Sequence, residues 1–217
     1  MNLRDLFEDN DFEELAIEHS RIGLKVLERA IVKSELSDTI KKQLQDILNS
    51  QLQREKVRAF LEKIVETRRF LNLRFKADGI DSAYSSNEKI VYLLKPCNDE
   101  ADFNNLIMVL SGIIDADLMC FKEHVVLPKG KTGSISAFEE YLNNTLGEGG
   151  YNQVIIKNLR DILVLRSKKF PTHVDSTDWI KKVKSLGFVY PINDWQSLGF
   201  KCIELYFESI ANTLVTQ

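Results

Sequence analysis

Apolar residues recur at spacings of three and four along most of this chain, and that periodicity predicts helices almost throughout. Asp11 and Glu14 have the form of a capping box, which opens a helix predicted to run to about Lys33. A second, longer helical region follows Ser37, which suits its N-cap. The spacing of the apolar positions predicts an antiparallel helical hairpin from about residue 11 to residue 74.

The segment 76–96 interrupts this helical pattern. It is rich in Gly, Ser, Asp and Asn, and its short apolar run KIVYLL is too short to tell a helical turn from a strand. From residue 97 onward the pattern predicts five helices, at about 99–120, 134–146, 151–170, 177–186 and 194–214. The fold class is therefore mainly α: an N-terminal helical hairpin region (1–75), a linker or short irregular segment (76–96), and a helical bundle (97–217).

Composition narrows the class of protein. With 217 residues, 44% of them hydrophobic, and only 4 prolines, the chain can bury a substantial core as one large domain or two small ones. It has no run of about 18 uncharged apolar residues, and its acidic start is unlike a signal peptide, so no membrane association is expected. Cys97, Cys120 and Cys202 are odd in number and far apart, so we predict neither a disulfide framework nor a metal site. This usage is typical of a reducing cytoplasm.

One predicted helix places a charge on its apolar face. The apolar row of the helix at 151–170 consists of Ile155, Leu159 and Ile162. Four residues further on, the same row reaches Arg166, whereas Arg160 and Asp161 are expected to project away from it. A guanidinium on a packed face must be paired or must open onto a cleft, because burying it unpaired costs several kcal/mol. Arg166 is therefore the first candidate for a functional residue.

A histidine follows this arginine in the stretch R-S-K-K-F-P-T-H, from Arg166 to His173. Pro171 lies between them and helps to end the helix near Phe170. The pair resembles the R-x(4–6)-H signature of the HEPN superfamily, with six residues between the arginine and the histidine. The resemblance covers the C-terminal half and implies an all-helical bundle. It also implies a metal-independent ribonuclease that builds one active site from the Arg and His of two paired domains.

The residue types suit cleavage of an RNA phosphodiester. The ribose 2′-hydroxyl attacks the adjacent phosphate, a histidine of near-neutral pKa can move the proton, and an arginine fork can hold the phosphate. No metal or cofactor is required, because the nucleophile is part of the substrate. In active HEPN members the residue after the arginine is often Asn, Asp or His, whereas here it is Ser167.

Basic charge collects around the same stretch, although the formal net charge of the whole chain is −3. Between residues 151 and 184 there are eight Lys and Arg against three Asp. Lys168 and Lys169 could contact an RNA backbone, with Ser167 or Thr172 as a further hydrogen-bond donor. The alternative is that these lysines belong to an ordinary solvated surface.

Two hypotheses follow from these observations. The first is a homodimeric HEPN-type endoribonuclease with RNA as its substrate, and toxin–antitoxin or phage-defence systems are the settings that the resemblance implies. The second is a non-catalytic helical interaction module that binds a protein or nucleic acid, with the N-terminal helices as a surface for a protein partner. In this second case Arg166 is a buried structural residue paired to Asp115 or Asp117, and His173 is a loop residue. The position of Arg166 and His173 distinguishes the two hypotheses: the ribonuclease hypothesis requires both side chains to face a shared cleft.

Overall fold

The computed structural model describes residues 25, 29, 32, 38–85, 87–167 and 177–216. These residues form six α-helices, two short 3₁₀ helices and no strand, which confirms the predicted mainly-α fold class. The α-helices are α1 (Asp38–Ala77), α2 (Glu100–Leu118), α3 (Ser134–Leu146), α4 (Val154–Ser167), α5 (Thr177–Ser185) and α6 (Trp195–Thr216). The 3₁₀ helices are η1 (Ile90–Leu94) and η2 (Met119–Glu123).

Local capping explains why several predicted helix starts agree closely with the structure. Asp99 accepts a hydrogen bond from the backbone N–H of Asp102 at 2.9 Å, which satisfies a donor that the first turn of α2 leaves unpaired. Asp194 does the same for Ser197 at the start of α6, also at 2.9 Å. Gly187, with φ of +91°, follows the end of α5 in a conformation that favours glycine.

The N-terminal region is described in part. Of the predicted helix from Asp11 to Lys33, the described residues are Lys25, Arg29 and Val32, which are helical and exposed. The remainder of that helix, including its predicted capping box, lies outside the described residues. The chain divides into two compact units, Met1–Val57 and Arg58–Gln217. Of the first unit, the continuous described part is the N-terminal half of α1, in which Leu48 is buried.

The second unit begins earlier than the predicted bundle at 97–217. Phe60 of α1 packs edge-on against Phe200 and Phe207 of α6, with ring centroids 5.4 and 4.9 Å apart. Phe75, also of α1, is fully buried and packs against Phe121 at 5.1 Å. The C-terminal half of α1, which the sequence pattern assigned to the N-terminal hairpin, is therefore part of the bundle core.

The segment 76–96 is a packed part of this core rather than a linker. The run KIVYLL forms η1, and apolar side chains along the segment are buried: Ile80, Ala83, Tyr84, Ile90 and Leu93. The sequence pattern predicted a linker or a short irregular segment here, and the second description fits the structure better.

Helices α4 and α6 are joined by polar contacts inside the core. Ser209 of α6 donates to the carbonyl of Ile155 at 2.9 Å, and Asn158 of α4 donates to the carbonyl of Leu205 at 3.3 Å. All four residues are buried. These hydrogen bonds fix the register between the two helices, so the position of α4 along the bundle is well determined.

Helix α2 is apolar enough to raise a separate question. By length and composition alone, Glu100–Glu123 could cross a membrane. Half of its most apolar window is buried against the rest of the bundle, and core helices of soluble proteins meet the same criterion.

Candidate functional site around Arg166

Arg166 lies in the last turn of α4, and the structure corrects the prediction of its burial. The buried row of α4 continues from Ile162 to Leu165, which is fully buried, rather than to Arg166. The side chain of Arg166 is 39% exposed at the edge of this row. The reason is geometric: a helical row can continue by three residues or by four, and here the three-residue step faces the core. The guanidinium is therefore reachable from solvent.

An acid from another helix contacts Arg166. The Nη1 atom of Arg166 lies 3.7 Å from Oδ2 of Asp115 in α2, whose side chain is 42% exposed. The other carboxylate oxygen of Asp115 accepts a hydrogen bond from the Ser134 hydroxyl, at the start of α3, at 2.7 Å. Ser134 is itself buried. Three helices thus meet at Asp115. The ion pair between Asp115 and Arg166 is partly exposed, so it contributes about 1 kcal/mol or less to stability.

Most of the other predicted site residues lie in a stretch that the structure does not describe. His173, Lys168, Lys169 and Thr172 lie outside the described residues. Ser167 is the last residue of α4, and its side chain also lies outside the described part. The spatial relation of Arg166 and His173, on which the ribonuclease hypothesis depends, therefore stays a prediction.

Part of the basic charge near Arg166 is neutralised within the bundle. Asp161, which was expected to project away from the apolar face, is buried, and that expectation was wrong. It pairs with Lys182 of α5 at 2.5 Å and with Lys157 at 3.2 Å. Arg160 does point outward, where it pairs with Glu139 of α3 at 2.7 Å. The helix α5 covers one side of α4, and this packing buries Asp161.

The sequence pattern failed to single out a different arginine, Arg68 of α1. It is fully buried, and its Nη1 atom donates to the Asp117 carboxylate and to the Tyr206 hydroxyl. Its Nε atom donates to the Asn87 side chain at 2.8 Å, and Tyr206 in turn donates to Asp117 at 2.5 Å. Asp117 is thus engaged with Arg68, not with Arg166. The signal was present in the apolar row that contains this arginine: Leu61, Ile64, Arg68, Leu71 and Phe75.

The pKa values of this buried cluster are shifted, and its inaccessibility marks it as structural. Burial alone would lower the pKa of Arg68, but Tyr206 and Asp117 outweigh it, so the pKa of Arg68 is raised. Burial and the Asp117 charge raise the pKa of Tyr206 well above its usual value. The ring of Tyr84 lies 5.9 Å from the Arg68 guanidinium carbon. Arg68 is 0% exposed, so it cannot touch a substrate; its contacts instead hold α1, α2 and α6 together.

An open groove lies on the second unit, between α1 and η1. It encloses about 520 Å³, and most of its lining surface is apolar. Val65 of α1 and Val91 and Leu94 of η1 line it and are partly exposed to solvent. Charged residues of both signs border the groove on α1: Arg58, Glu62, Glu66 and Arg69. Mixed charge of this kind does not favour a polyanion.

The part of the chain that the structure describes contains no group of three His, Cys, Asp or Glu side chains that could hold a metal ion. The thiols are also poor nucleophiles. Burial raises the pKa of Cys97 to about 12, and burial likewise raises the pKa of Cys202. Because the thiolate is the reactive form, neither residue suits cysteine chemistry.

Comparison with known proteins gives no assignment. No protein-family model, no curated protein sequence and no solved structure matches this chain. The class that the described residues define is a mainly-α helical bundle with a partly exposed arginine at the end of α4.

Proposed function

We propose that this protein is a metal-independent endoribonuclease of HEPN type. The observation that carries the proposal is the placement of Arg166: the last turn of α4, with 39% of its side chain exposed and its acid partner 3.7 Å away. An arginine that binds phosphate must be reachable and must not be locked to a carboxylate. Among the residues that the structure describes, Arg166 meets both conditions, whereas Arg68 meets neither.

In the proposed reaction the 2′-oxygen of one nucleotide attacks the adjacent phosphorus. The bond from phosphorus to the 5′-oxygen of the next nucleotide breaks, leaving a 2′,3′-cyclic phosphate and a free 5′-hydroxyl. His173 moves the proton between the attacking and leaving oxygens, and Arg166 holds the negative charge that builds on the phosphoryl oxygens. Lys168 and Lys169, with Ser167 or Thr172, hold the RNA backbone. Two copies of the chain supply the composite site, so the active species is a homodimer.

The test is cleavage of labelled single-stranded RNAs of varied sequence by the purified protein in excess EDTA. We expect cleavage that survives the chelator, leaves 2′,3′-cyclic phosphate ends, and falls by about 100-fold or more in Arg166→Ala and His173→Ala. Arg160→Ala is the matched control, because Arg160 lies on the same helix and pairs with an acid, Glu139, at the surface. Circular dichroism and thermal unfolding check that each variant is folded.

The outcome that refutes the proposal is equally definite. Wild-type protein that cuts none of the RNAs, or variants of Arg166 and His173 that cut as fast as wild type, would exclude this site as a nuclease. The second hypothesis, a non-catalytic module that binds a protein partner, would then be favoured. The apolar groove lined by Val65, Val91 and Leu94 is the observation that supports it, because helix-binding grooves share this lining of apolar floor and charged rim.

A further inference from the structure

We infer that Asp115 is a positioning residue for Arg166, an inference that rests on the proposed ribonuclease function. Asp115 is the acid that pairs with Arg166 among the residues described by the structure. It belongs to α2, whereas Arg166 belongs to α4, so the contact joins two helices that are distant in sequence. On the sequence alone, Asp115 is one of two acids, with Asp117, that could pair with Arg166 in a buried structural contact. Its actual position at the surface allows a different role.

Asp115 is itself held in place. The Ser134 hydroxyl donates to its Oδ1 atom at 2.7 Å, and Ser134 is 3% exposed, so its side chain has little freedom. The carboxylate therefore presents Oδ2 in a defined direction, toward the Nη1 atom of Arg166. A carboxylate that is anchored on one oxygen can orient a cation on the other, just as a carboxylate that accepts a hydrogen bond from a metal-bound histidine orients that ring.

The distance of 3.7 Å between Arg166 Nη1 and Asp115 Oδ2 fits positioning better than locking. It is too long for a hydrogen bond, so the guanidinium is attracted without being held in a fixed bidentate pair. Catalytic contacts are often long in the absence of substrate and shorten when it binds. A guanidinium has five N–H donors, so an Nη1 atom directed at Asp115 leaves the Nε and Nη2 edge as a fork for a phosphate.

The exposure of the pair argues against a mainly structural role. Both side chains are about two-fifths exposed, at 39% and 42%, and such pairs contribute little to stability. If Asp115 only competed with the phosphate for Arg166, removing its charge would speed cleavage. If it positions Arg166, removing its charge must slow cleavage. The two roles therefore predict opposite changes in rate.

The experiment compares single-turnover cleavage and RNA affinity of wild type, Asp115→Asn, Asp115→Glu and Ser134→Ala. The substrate is the RNA that wild type cuts best, and affinity is measured on the same RNA with a 2′-deoxy residue at the cut site. For Asp115→Asn we expect the rate constant to fall by about 10- to 100-fold, because a catalytic group misplaced by about 1 Å loses that much. We expect affinity to stay the same or rise, since a negative charge is lost.

Two further variants separate positioning from folding. Asp115→Glu keeps the carboxylate and should restore part of the rate, whereas Ser134→Ala keeps Asp115 but removes its anchor and should reduce the rate less than Asp115→Asn. The matched control is Glu62→Gln, which removes an acid from a surface pair with Arg58 at 3.5 Å, with side chains 67% and 40% exposed. This control should cut at the wild-type rate.

Each result has one meaning. Wild type that cuts, together with Asp115→Asn that cuts as fast or faster, overturns the positioning role and leaves the proposed function standing. Wild type that cuts no RNA overturns the proposed function and the positioning role with it. A loss of rate in Asp115→Asn that Asp115→Glu does not restore at all, with a lowered melting temperature, assigns Asp115 to structure and also overturns the inference.

Discussion

The buried pair of Arg68 and Asp117 offers a direct measure of what holds the helices of the second unit together. We consider Arg68→Met, which keeps most of the apolar stem, and Asp117→Asn, which keeps the shape of the carboxylate. Both residues are essentially inaccessible, at 0% and 1% exposed. Each single substitution leaves the other charge buried without its partner, which typically costs about 3–5 kcal/mol. At roughly 2–4 °C per kcal/mol for a domain of this size, the melting temperature should fall by about 6–20 °C.

The two single variants should differ in their response to pH. Burial raises the pKa of Asp117 to about 6, although the Arg68 charge and the hydrogen bonds from Tyr206 and Arg68 act to lower it. In Arg68→Met the lowering influences of the guanidinium are gone, so the folded-state pKa of Asp117 rises still further above its unfolded value. Stability that depends on the protonated form is present at low pH and is lost as pH rises through the raised pKa. Arg68→Met should therefore lose more stability at about pH 8 than at about pH 5.

Asp117→Asn should lack this pH dependence, because the guanidinium of Arg68 keeps its charge throughout the range in which proteins fold. The double variant has no buried charge at this position. Its loss should therefore be at least about 2 kcal/mol smaller than the sum of the two single losses. That coupling and the contrast in pH response distinguish an ion pair from ordinary packing.

The assay is equilibrium unfolding in urea, read by circular dichroism at several pH values. Arg69→Met is the matched control, since Arg69 is the next residue of α1 and is exposed, and it should change stability by less than about 0.5 kcal/mol. Additive losses in the double variant would refute the reasoning. So would an equal pH dependence of the two single variants, because the carboxylate is then not the titrating group that the argument requires.

Three other predictions concern packing, charge and thiol chemistry. Gly199→Ala should destabilise the protein by about 1–3 kcal/mol, because a Cβ there would lie 2.9 Å from the Cys97 sulfur. Gly112→Ala, which has open space around its Cβ, should stabilise the protein by about 0.5–1 kcal/mol. Thermal unfolding checks both. Asp161→Asn should lower the free energy of unfolding in urea by about 1–3 kcal/mol, because Asp161 is buried and pairs with two lysines. Glu139→Gln, whose basic partners are half exposed, should lower it by about 1 kcal/mol or less. With its pKa raised to about 12, Cys97 should react with an aromatic disulfide reagent much more slowly in the folded protein than in urea, and equal rates would contradict its burial.

The helices of the second unit were predictable because their signals are local. The pattern predicted helices at 134–146 and 177–186, and the structure has Ser134–Leu146 and Thr177–Ser185. Capping residues and glycines at the termini of a helix act over a few residues, so they can be recognised in a single sequence. The division of α1 between two compact units was not predictable in this way. It depends on contacts such as Phe60 with Phe207, whose pairing cannot be seen in one sequence.

The candidate site shows the same limit at the level of single side chains. Both Arg68 and Arg166 lie in apolar rows of the sequence, yet the pattern led to a prediction only for Arg166, because periodicity alone does not tell which arginine is buried. The answer depends on partners far along the chain, since Arg68 meets an acid 49 residues away and a tyrosine 138 residues away. The apolar face of a helix also spans more than one row of residues. In α4 the buried row continues from Ile162 by three residues, to Leu165, so Arg166 lies at the edge of that face. Burial of a charge is therefore a property of the assembled bundle rather than of its helices.

The contrast between these two arginines bears directly on function. Arg68 donates to Asp117, Tyr206 and Asn87 in a site closed to solvent, so its guanidinium is committed to structure. Arg166 has a carboxylate near enough to orient it and too far to hold it, and it remains accessible. Binding a phosphate at Arg68 would require the core to open, at a cost of several kcal/mol, whereas the ion pair of Arg166 among the described residues is a weak one at the surface. If the bundle acts on a polyanion, the physical argument therefore selects the arginine with the weaker ion pair.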